Sequence, residues 1–315
     1  MFRFRQLDPS EFDAAGRLFV EIYPHRAHEV RSWQGPASHE RPSRWAAVLD
    51  PSPTLVGYAA IWHVEQRKYR LDVMVDGAWR GRGIGTHLLN IVSTEATRVG
   101  AGTIQARAYA PCTAALTFLE HRGFVETMRM HGSVLDLSGV DRAALAVWAR
   151  AFVGDDITVV PVSRSDIDDE TFWRRLCTLQ AAAREGWREP DPGGPPDPVV
   201  ESGLRMMLLS SGDLPLAFFV ARRRDELVAY SVLAARRHPD GEAQFVGTAV
   251  RPDCRSQGIA TALRARCLAV AKAAGYGSVR SASGHPALLR INARFGFEPS
   301  YCEVRLVKPV NPLPV

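Results

Sequence analysis

The sequence contains no Gly-Lys-Ser/Thr triplet, which excludes a P-loop nucleotide site. Cysteine is sparse and scattered, at positions 112, 177, 254, 267 and 302, with no Cys-x-x-Cys pair. That pattern speaks against a zinc centre and against a disulfide framework, and no metal is expected. No apolar run approaches the ~20 residues that span a bilayer. The opening Met-Phe-Arg-Phe-Arg-Gln-Leu-Asp lacks the apolar stretch of an export signal. No basic run is interleaved with aromatics, as a nucleic-acid surface would require. The expectation is a cytoplasmic protein, monomer or homodimer, with no nucleic-acid or membrane partner. A net charge of +5 attracts anions only mildly.

What the sequence does contain is one pattern written twice. Leu71-Asp-Val-Met-Val75 reads as a strand, Arg80-Gly81-Arg82-Gly83-Ile84-Gly85 as a tight turn, and the residues from Thr86 as a helix with Leu88, Leu89, Val92, Ala96 and Val99 at helical spacing. A glycine-rich turn opening a helix leaves several N–H groups aimed one way at the positive end of the helix dipole, which makes an anion site. In the second copy a strand ends in Thr248-Ala249-Val250. The turn Arg255-Ser256-Gln257-Gly258-Ile259-Ala260 follows, then a helix from Thr261. The first turn lacks Gly-x-Gly-x-x-Gly spacing, so it is not a dinucleotide fingerprint.

Arg-x-x-Gly-x-Gly/Ala after a strand ending in Val resembles the acyl-CoA signature of the GCN5-related N-acetyltransferases. That family also carries a later helix ending in Gly-Phe. Here Gly123-Phe124 follows Arg80 by 43 residues (123 − 80), and Gly296-Phe297 follows Arg255 by 41 (296 − 255). The resemblance covers essentially the whole chain as two tandem domains. The implied fold is α/β (α+β), each domain a mixed, mostly antiparallel twisted sheet flanked by helices. The length of 315 residues suits two domains. The expected division is 1–139, a linker helix over 140–154 containing Asp141 to Phe152, and 155–315. The signature arginines lie 175 residues apart (255 − 80) but the first strands, at Phe4 and Val159, only 155 (159 − 4). The second half thus carries extra residues, which the Pro/Gly-rich stretch Glu189 to Pro198 accommodates as a loop or a lid. Gln34 to Arg44 reads as a loop or a helix–loop, and Ser165 as the start of a single capped helix.

The resemblance implies acetyl-CoA as co-substrate. Its pantetheine would pair with a strand that splays from its neighbour at a bulge, along Met74 and Val75 or Ala249 and Val250. Its pyrophosphate would sit on Arg80 to Gly85 or Arg255 to Ala260, with Thr86 and Thr261 opening the helices. Many members place a Tyr four residues before the Gly of Gly-Phe; here Leu119 and Asn292 stand there, so the acid is unassigned. Asn292 resembles an Ile-Asn variant of that helix and is counted with the CoA-binding residues. Asp72 and Glu242 are the candidate bases, with an ion pair on the strand as the alternative for each. His285 is a candidate acid or base, or else a helix cap. Tyr109 and Tyr301 are possible proton donors or packed aromatics. Trp33, Trp45 and Trp187 fall in segments expected to face the acceptor. The expected reaction is direct attack by a primary amine, in a ternary complex, on the acetyl thioester. The alternatives are a CoA-binding sensor or scaffold without turnover, and a protein acetyltransferase. Which half is active is open at this level.

Overall fold

Phe2 and Phe4 alternate with Arg3 and Arg5, and a chain that pairs there puts one apolar and one charged face on the strand. The same alternation recurs through a computed structural model of the protein, described over residues 1–30, 33, 42–52, 54–65, 67–150, 152, 156–184, 204–205, 208–209, 215–236 and 241–310. Trp187, the Pro/Gly-rich stretch 189–198, residues 34–41 and the 153–155 break lie outside the described residues.

The chain forms two units. The first comprises, of the described residues, 1–129 and 301–310. Its sheet runs β1 (Phe2–Gln6), β2 (Ser43–Leu49), β3 (Leu55–Glu65), β4 (Lys68–Val75), β5 (Thr103–Tyr109) and β12 (Glu298–Pro309), antiparallel except for the β4–β5 pair. Helix α1 (Phe12–Ile22) covers one face through Ala15, Leu18 and Phe19. Helices α3 (Ile84–Arg98) and α4 (Thr113–Glu120) cover the other through Leu88, Val92 and Leu119. Each such buried Leu or Phe contributes roughly 1.5–3 kcal/mol. The start signal at Asp8 is realised as a reciprocal cap, in which Ser10 N–H donates to Asp8 and Asp8 N–H donates to Glu11.

The second unit comprises 130–184 and the described residues of 204–300. Its sheet runs β7 (Ile157–Pro161), β8 (Ala217–Arg223), β9 (Glu226–Ala235), β10 (Glu242–Val250), β11 (Ser278–Ser283) and β6 (Val125–Asp136). Helix α7 (Glu170–Arg184) packs Trp173, Leu176 and Leu179 on one face. Helix α8 (Ile259–Ala273) packs Leu263, Ala265 and Leu268 on the other.

Four expectations change. The division at 139 and 155 implied that each half completes its own sheet. Instead β6 pairs with β11, from Asp136↔Ser278 to His131↔Ser283, and β12 pairs with β5, from Glu303↔Tyr109 to Pro309↔Thr103. Both strands present the same alternation to the same kind of open edge, so nothing local in the sequence distinguishes the two pairings. Next, the segment expected as a linker is α5 (Arg142–Trp148), capped by Asp141, and it belongs to the second unit. Its Leu145 is in that unit's core, and Trp148 meets Phe295 edge-on at 4.8 Å. The expected loop over 34–44 ends in a strand, since β2 already begins at Ser43. The expected single helix at Ser165 is two: α6 (Arg164–Asp168), capped by Ser163, ends at the extended Asp169, and α7 begins at Glu170.

Candidate active site

The two signature turns are built alike. Gly83 and Gly258 are the residues before α3 and α8, with φ of 81° and 84°, a left-handed conformation open to glycine at little cost. Neither helix start has a side-chain cap, so the first-turn N–H groups are left for a ligand. Gly81 and Ser256 occupy a second left-handed position, with φ of 75° and 64°. The signature arginines brace the turn: Arg80 Nε donates to the Val75 carbonyl at 3.1 Å, and Arg255 Nε to the Val250 carbonyl at 3.3 Å. Arg255 also donates to the Ala183 carbonyl at the end of α7, at 2.8 Å. Arg80 is thereby a buckle more than the mobile charge its sequence position suggests, and Arg82 lies over the Trp79 ring at 4.8 Å. Gln257 ties its amide to the Asp253 carbonyl at 3.4 Å.

Both signature strands leave their parallel neighbour. β4 pairs with β5 only from Lys68↔Thr103 to Leu71↔Ala106, then runs on to Val75. β10 pairs with β11 only from Glu242↔Ser278 to Gln244↔Arg280, then runs on to Val250. The bulge implied for such a strand is found in β10, between Phe245 and Gly247. It is not found in β4, whose register against β3 is unbroken from Val75 to Tyr69.

The units differ in what occupies the space beside the turn. In the first, the Phe118 ring of α4 packs against Val75 and Gly85: a Cβ on Gly85 would lie 3.5 Å from Val75 and 3.6 Å from Phe118. The Arg122 guanidinium stacks on Phe118 at 3.8 Å and donates to Thr86 Oγ1 at 2.7 Å. Helix α4 is thus clamped onto the turn. In the second unit the corresponding space is a cavity of about 710 Å³. It is lined by Thr248, Ala249 and Val250 of the strand, by Arg255, Ser256, Gly258, Ile259, Ala260 and Thr261 of the turn and helix start, by Ala282 and Ser283 at the end of β11, and by Gly284 and His285. Gln180, Ala183 and Arg184 of α7, Met130 of β6, and Arg290, Ile291 and Arg294 of α9 (Pro286–Phe295) close it. Four arginines and a histidine line it, and among the described lining residues there is no carboxylate. A cavity of this size and sign suits an elongated polyanion. Arg184, Arg290, Arg294, Gln180 and Met130 were not singled out by sequence. The spacing of Arg290 and Arg294, four apart on one helix face, is the signal that would have found two of them.

A second difference lies behind the cavity. The Arg264 guanidinium is fully buried and donates to Thr248 Oγ1 at 3.3 Å, Ser281 Oγ at 3.1 Å and Asn292 Oδ1 at 2.6 Å. Asn292 Nδ2 donates to Ser281 and to Ser133 of β6, and Thr248 shares a hydrogen bond with Ser231. Asn292 therefore belongs to this network and not to the cavity lining. Arg264 sits 3.6 Å from the Phe245 ring, and burial lowers its pKa to about 9. Offsetting by the signature spacing (173 in the last helix), and by strand pairing for Ser133 and Ser231, gives Ala59, Val73, Leu89, Ala106, Leu119 and Leu306 at these six positions in the first unit. All six are in its apolar core or packed against it.

The sequence-expected bases fare differently. Asp72 is buried on the α1 face, 3.5 Å from the Arg26 guanidinium, which in turn stacks on Phe19 and Tyr23. Glu242 is held between Arg280 and Arg236, before the point where β10 leaves β11, and does not line the cavity. His285 does line it. Its Nδ1 accepts the Ala287 N–H at 3.1 Å, capping α9. Burial, then Arg255 and Arg290, lower its pKa. An imidazole whose Nδ1 lone pair is so engaged presents Nε2–H, a donor and not a base. Tyr301 stacks on His25 at 4.0 Å, with Tyr109 near the same ring at 5.9 Å. Trp33 stacks on Tyr58, and Trp45 packs on the α3 face, away from the α1 side.

The profile described as "Acetyltransferase (GNAT) family" matches the sequence twice, over residues 6–124 and 179–297. A search of the curated proteins finds no match. Among solved structures, a GCN5-related N-acetyltransferase from Sphaerobacter thermophilus is similar at TM-score 0.73 and 20% identity, covering 99% of this chain and 96% of that one. A tandem GNAT protein from the clavulanic acid biosynthesis pathway is similar at TM-score 0.68 and 17% identity, covering both chains in full (100% each). A glucosamine N-acetyltransferase region in a fungal multi-domain GH3 β-N-acetylglucosaminidase is similar at TM-score 0.71 and 17% identity, covering 98% of this chain and 38% of that one. With each signature turn placed between a splayed strand and a helix, and the family profile matched once around each, the chain belongs to the GNAT acetyltransferase family as a tandem member.

Proposed function

We propose that the second unit binds acetyl-CoA and transfers its acetyl group to a primary amine of a small molecule by direct attack in a ternary complex, while the first unit is scaffold. The observation that carries this reading is the cationic cavity of about 710 Å³ at the second signature turn, against the clamp of Phe118 and Arg122 at the first. The uncapped N–H groups after Gly258 and the side chains of Arg290 and Arg294 suit the phosphates of CoA. The free edge of β10 after Gln244 offers backbone groups at Ala249 and Val250 to the pantetheine. The described cavity residues supply cations and neutral hydrogen-bond donors but no carboxylate. On this reading the amine arrives unprotonated or loses its proton to water. That scarcity of a base also supports a second reading, a CoA-responsive binding module without turnover.

Calorimetric titration with acetyl-CoA tests the assignment, using Ala260→Trp in the second turn and Gly85→Trp in the first, each checked for folding. One equivalent bound by wild type, kept by the Gly85 variant and lost by the Ala260 variant, is the expected result. Loss with the Gly85 variant alone would move the site to the first unit. Binding without acetyl transfer across a panel of amines would favour the module over the enzyme.

A further inference from the structure

The Arg264 network has no evident role in folding. The equivalent place in the first unit is closed by Ala59, Val73, Leu89, Ala106, Leu119 and Leu306, so the fold is content with aliphatic side chains there. A buried guanidinium costs several kcal/mol to desolvate. Arg264 has no acidic partner among the described residues, and its hydrogen bonds end on neutral oxygens. Its Nε has no hydrogen-bond partner among the described residues. The ionisable neighbour acting on it is Cys267 on its own helix, whose thiol burial pushes up to about 12 and so keeps neutral.

The position of the charge is specific. Thr248 is on β10 and Ser281 on β11, beyond the last pair that joins these strands, so the guanidinium spans the opening between them. Thr248 also lines the cavity, beside Ala249 and Val250. With Ser231 as the donor of their shared hydrogen bond, the Thr248 oxygen accepts from both Ser231 and Arg264, and its own O–H is left to donate.

We propose that Arg264, held across the opening of β10 and β11, is a positioning residue that stabilises the thiolate of CoA through the hydroxyl of Thr248. This rests on the cavity being the acetyl-CoA site. In the transfer, the amine nitrogen forms a bond to the acetyl carbon and the carbon–sulfur bond breaks. The electron pair of that bond stays on sulfur, and the amine proton leaves to water. A cation behind the sulfur lowers the cost of that charge without having to give up a proton. The network thereby stands in for the tyrosine that Asn292 replaces.

The test compares CoA with desulfo-CoA, which lacks the sulfur, by calorimetry between about pH 6 and 9, a range that spans the free thiol value of roughly 8.5. Cys254, His285 and the cavity arginines act on both ligands, and so do Glu242 and Arg280 at the far end of β10 and β11; they cancel in the ratio. In wild type, CoA should tighten about fivefold relative to desulfo-CoA as pH rises from about 6 to 8.5, corresponding to a bound thiol lowered by about one unit. Arg264→Met and Thr248→Val should each abolish that preference, and Thr248→Ser should keep it. A wild-type ratio that does not change with pH, with desulfo-CoA still bound, overturns the proposal and leaves the cavity assignment intact. So does a preference retained in Arg264→Met. Failure of CoA and desulfo-CoA alike to bind overturns both. If Arg264→Met does not fold, the wild-type ratio and the Thr248 pair decide.

Discussion

The same six places in the two units are filled by Ala59, Val73, Leu89, Ala106, Leu119 and Leu306 in one, and by Ser231, Thr248, Arg264, Ser281, Asn292 and Ser133 in the other. In one repeat these places are packed with apolar side chains; in the other they are wired with hydrogen bonds beside a cavity. The contrast separates what the fold demands from what a ligand demands. Packing requires only matched volume at these positions. A charge kept there in one copy alone points to something the fold does not need.

Moving the charge across should produce the largest effect. Leu89→Arg places a guanidinium among apolar neighbours with no acceptors, and urea denaturation should show a loss of at least about 3 kcal/mol. A loss below about 1 kcal/mol would mean the first unit has hidden polar capacity there, and the comparison would fail.

The reverse transfer separates pairing from burial. Arg264→Leu alone strips donors from Thr248, Ser281 and Asn292 and should cost about 1–3 kcal/mol. Replacing all six second-unit residues by their first-unit counterparts should restore stability to within about 1 kcal/mol of wild type or exceed it. If the sixfold variant is far less stable than the single one, the network is structural after all.

Charge reversal at the cavity mouth comes next. Arg290→Glu with Arg294→Glu should weaken acetyl-CoA about tenfold, whereas Arg82→Glu at the first turn should change it less than about twofold. Both second-unit arginines are exposed, so the effect should shrink with added salt. Equal effects at both turns would assign both units to CoA.

The smallest effect concerns the entry to α1. The Arg5 hydrogen bonds hold the Glu11 carboxyl below the usual carboxylate range, against the opposing effect of burial. A depressed folded-state value stabilises above the unfolded value, and that stability is lost as pH falls through the folded one. Glu11→Gln should therefore cost about 0.5 kcal/mol near neutrality, since solvent screens the pair. In strong acid, below the depressed value, the variant and wild type should converge. A constant difference across pH would show that the cap, not the charge, matters.

Much of the site was legible in the sequence because its chemistry is local. The turn places glycine at the left-handed residue before the helix, Gly83 and Gly258, and an arginine five residues past a strand end, and both are written in consecutive residues at 80–85 and 255–260. Three things were not legible for the opposite reason. The exchange of β6 and β12 depends on a choice between two open edges of similar pattern. The burial of Arg264 depends on partners drawn from three other elements. The fate of Glu242 was decided by Arg236 and Arg280, whose sequence positions give no hint that they converge. Asp72 was a candidate base because it is a carboxylate on the signature strand, and its place on that strand carries it to Arg26.

The exchanged strands also set a timetable for synthesis. When β1 to β5 have emerged from the ribosome, the first sheet ends in a bare edge at β5, because its partner β12 arrives only after every strand of the second unit. β6, made early, waits in turn for β11. Neither sheet closes while the chain is half made. A gene cut between the two family matches would therefore release two fragments, each with an unpaired edge open to aggregation, rather than two free-standing domains.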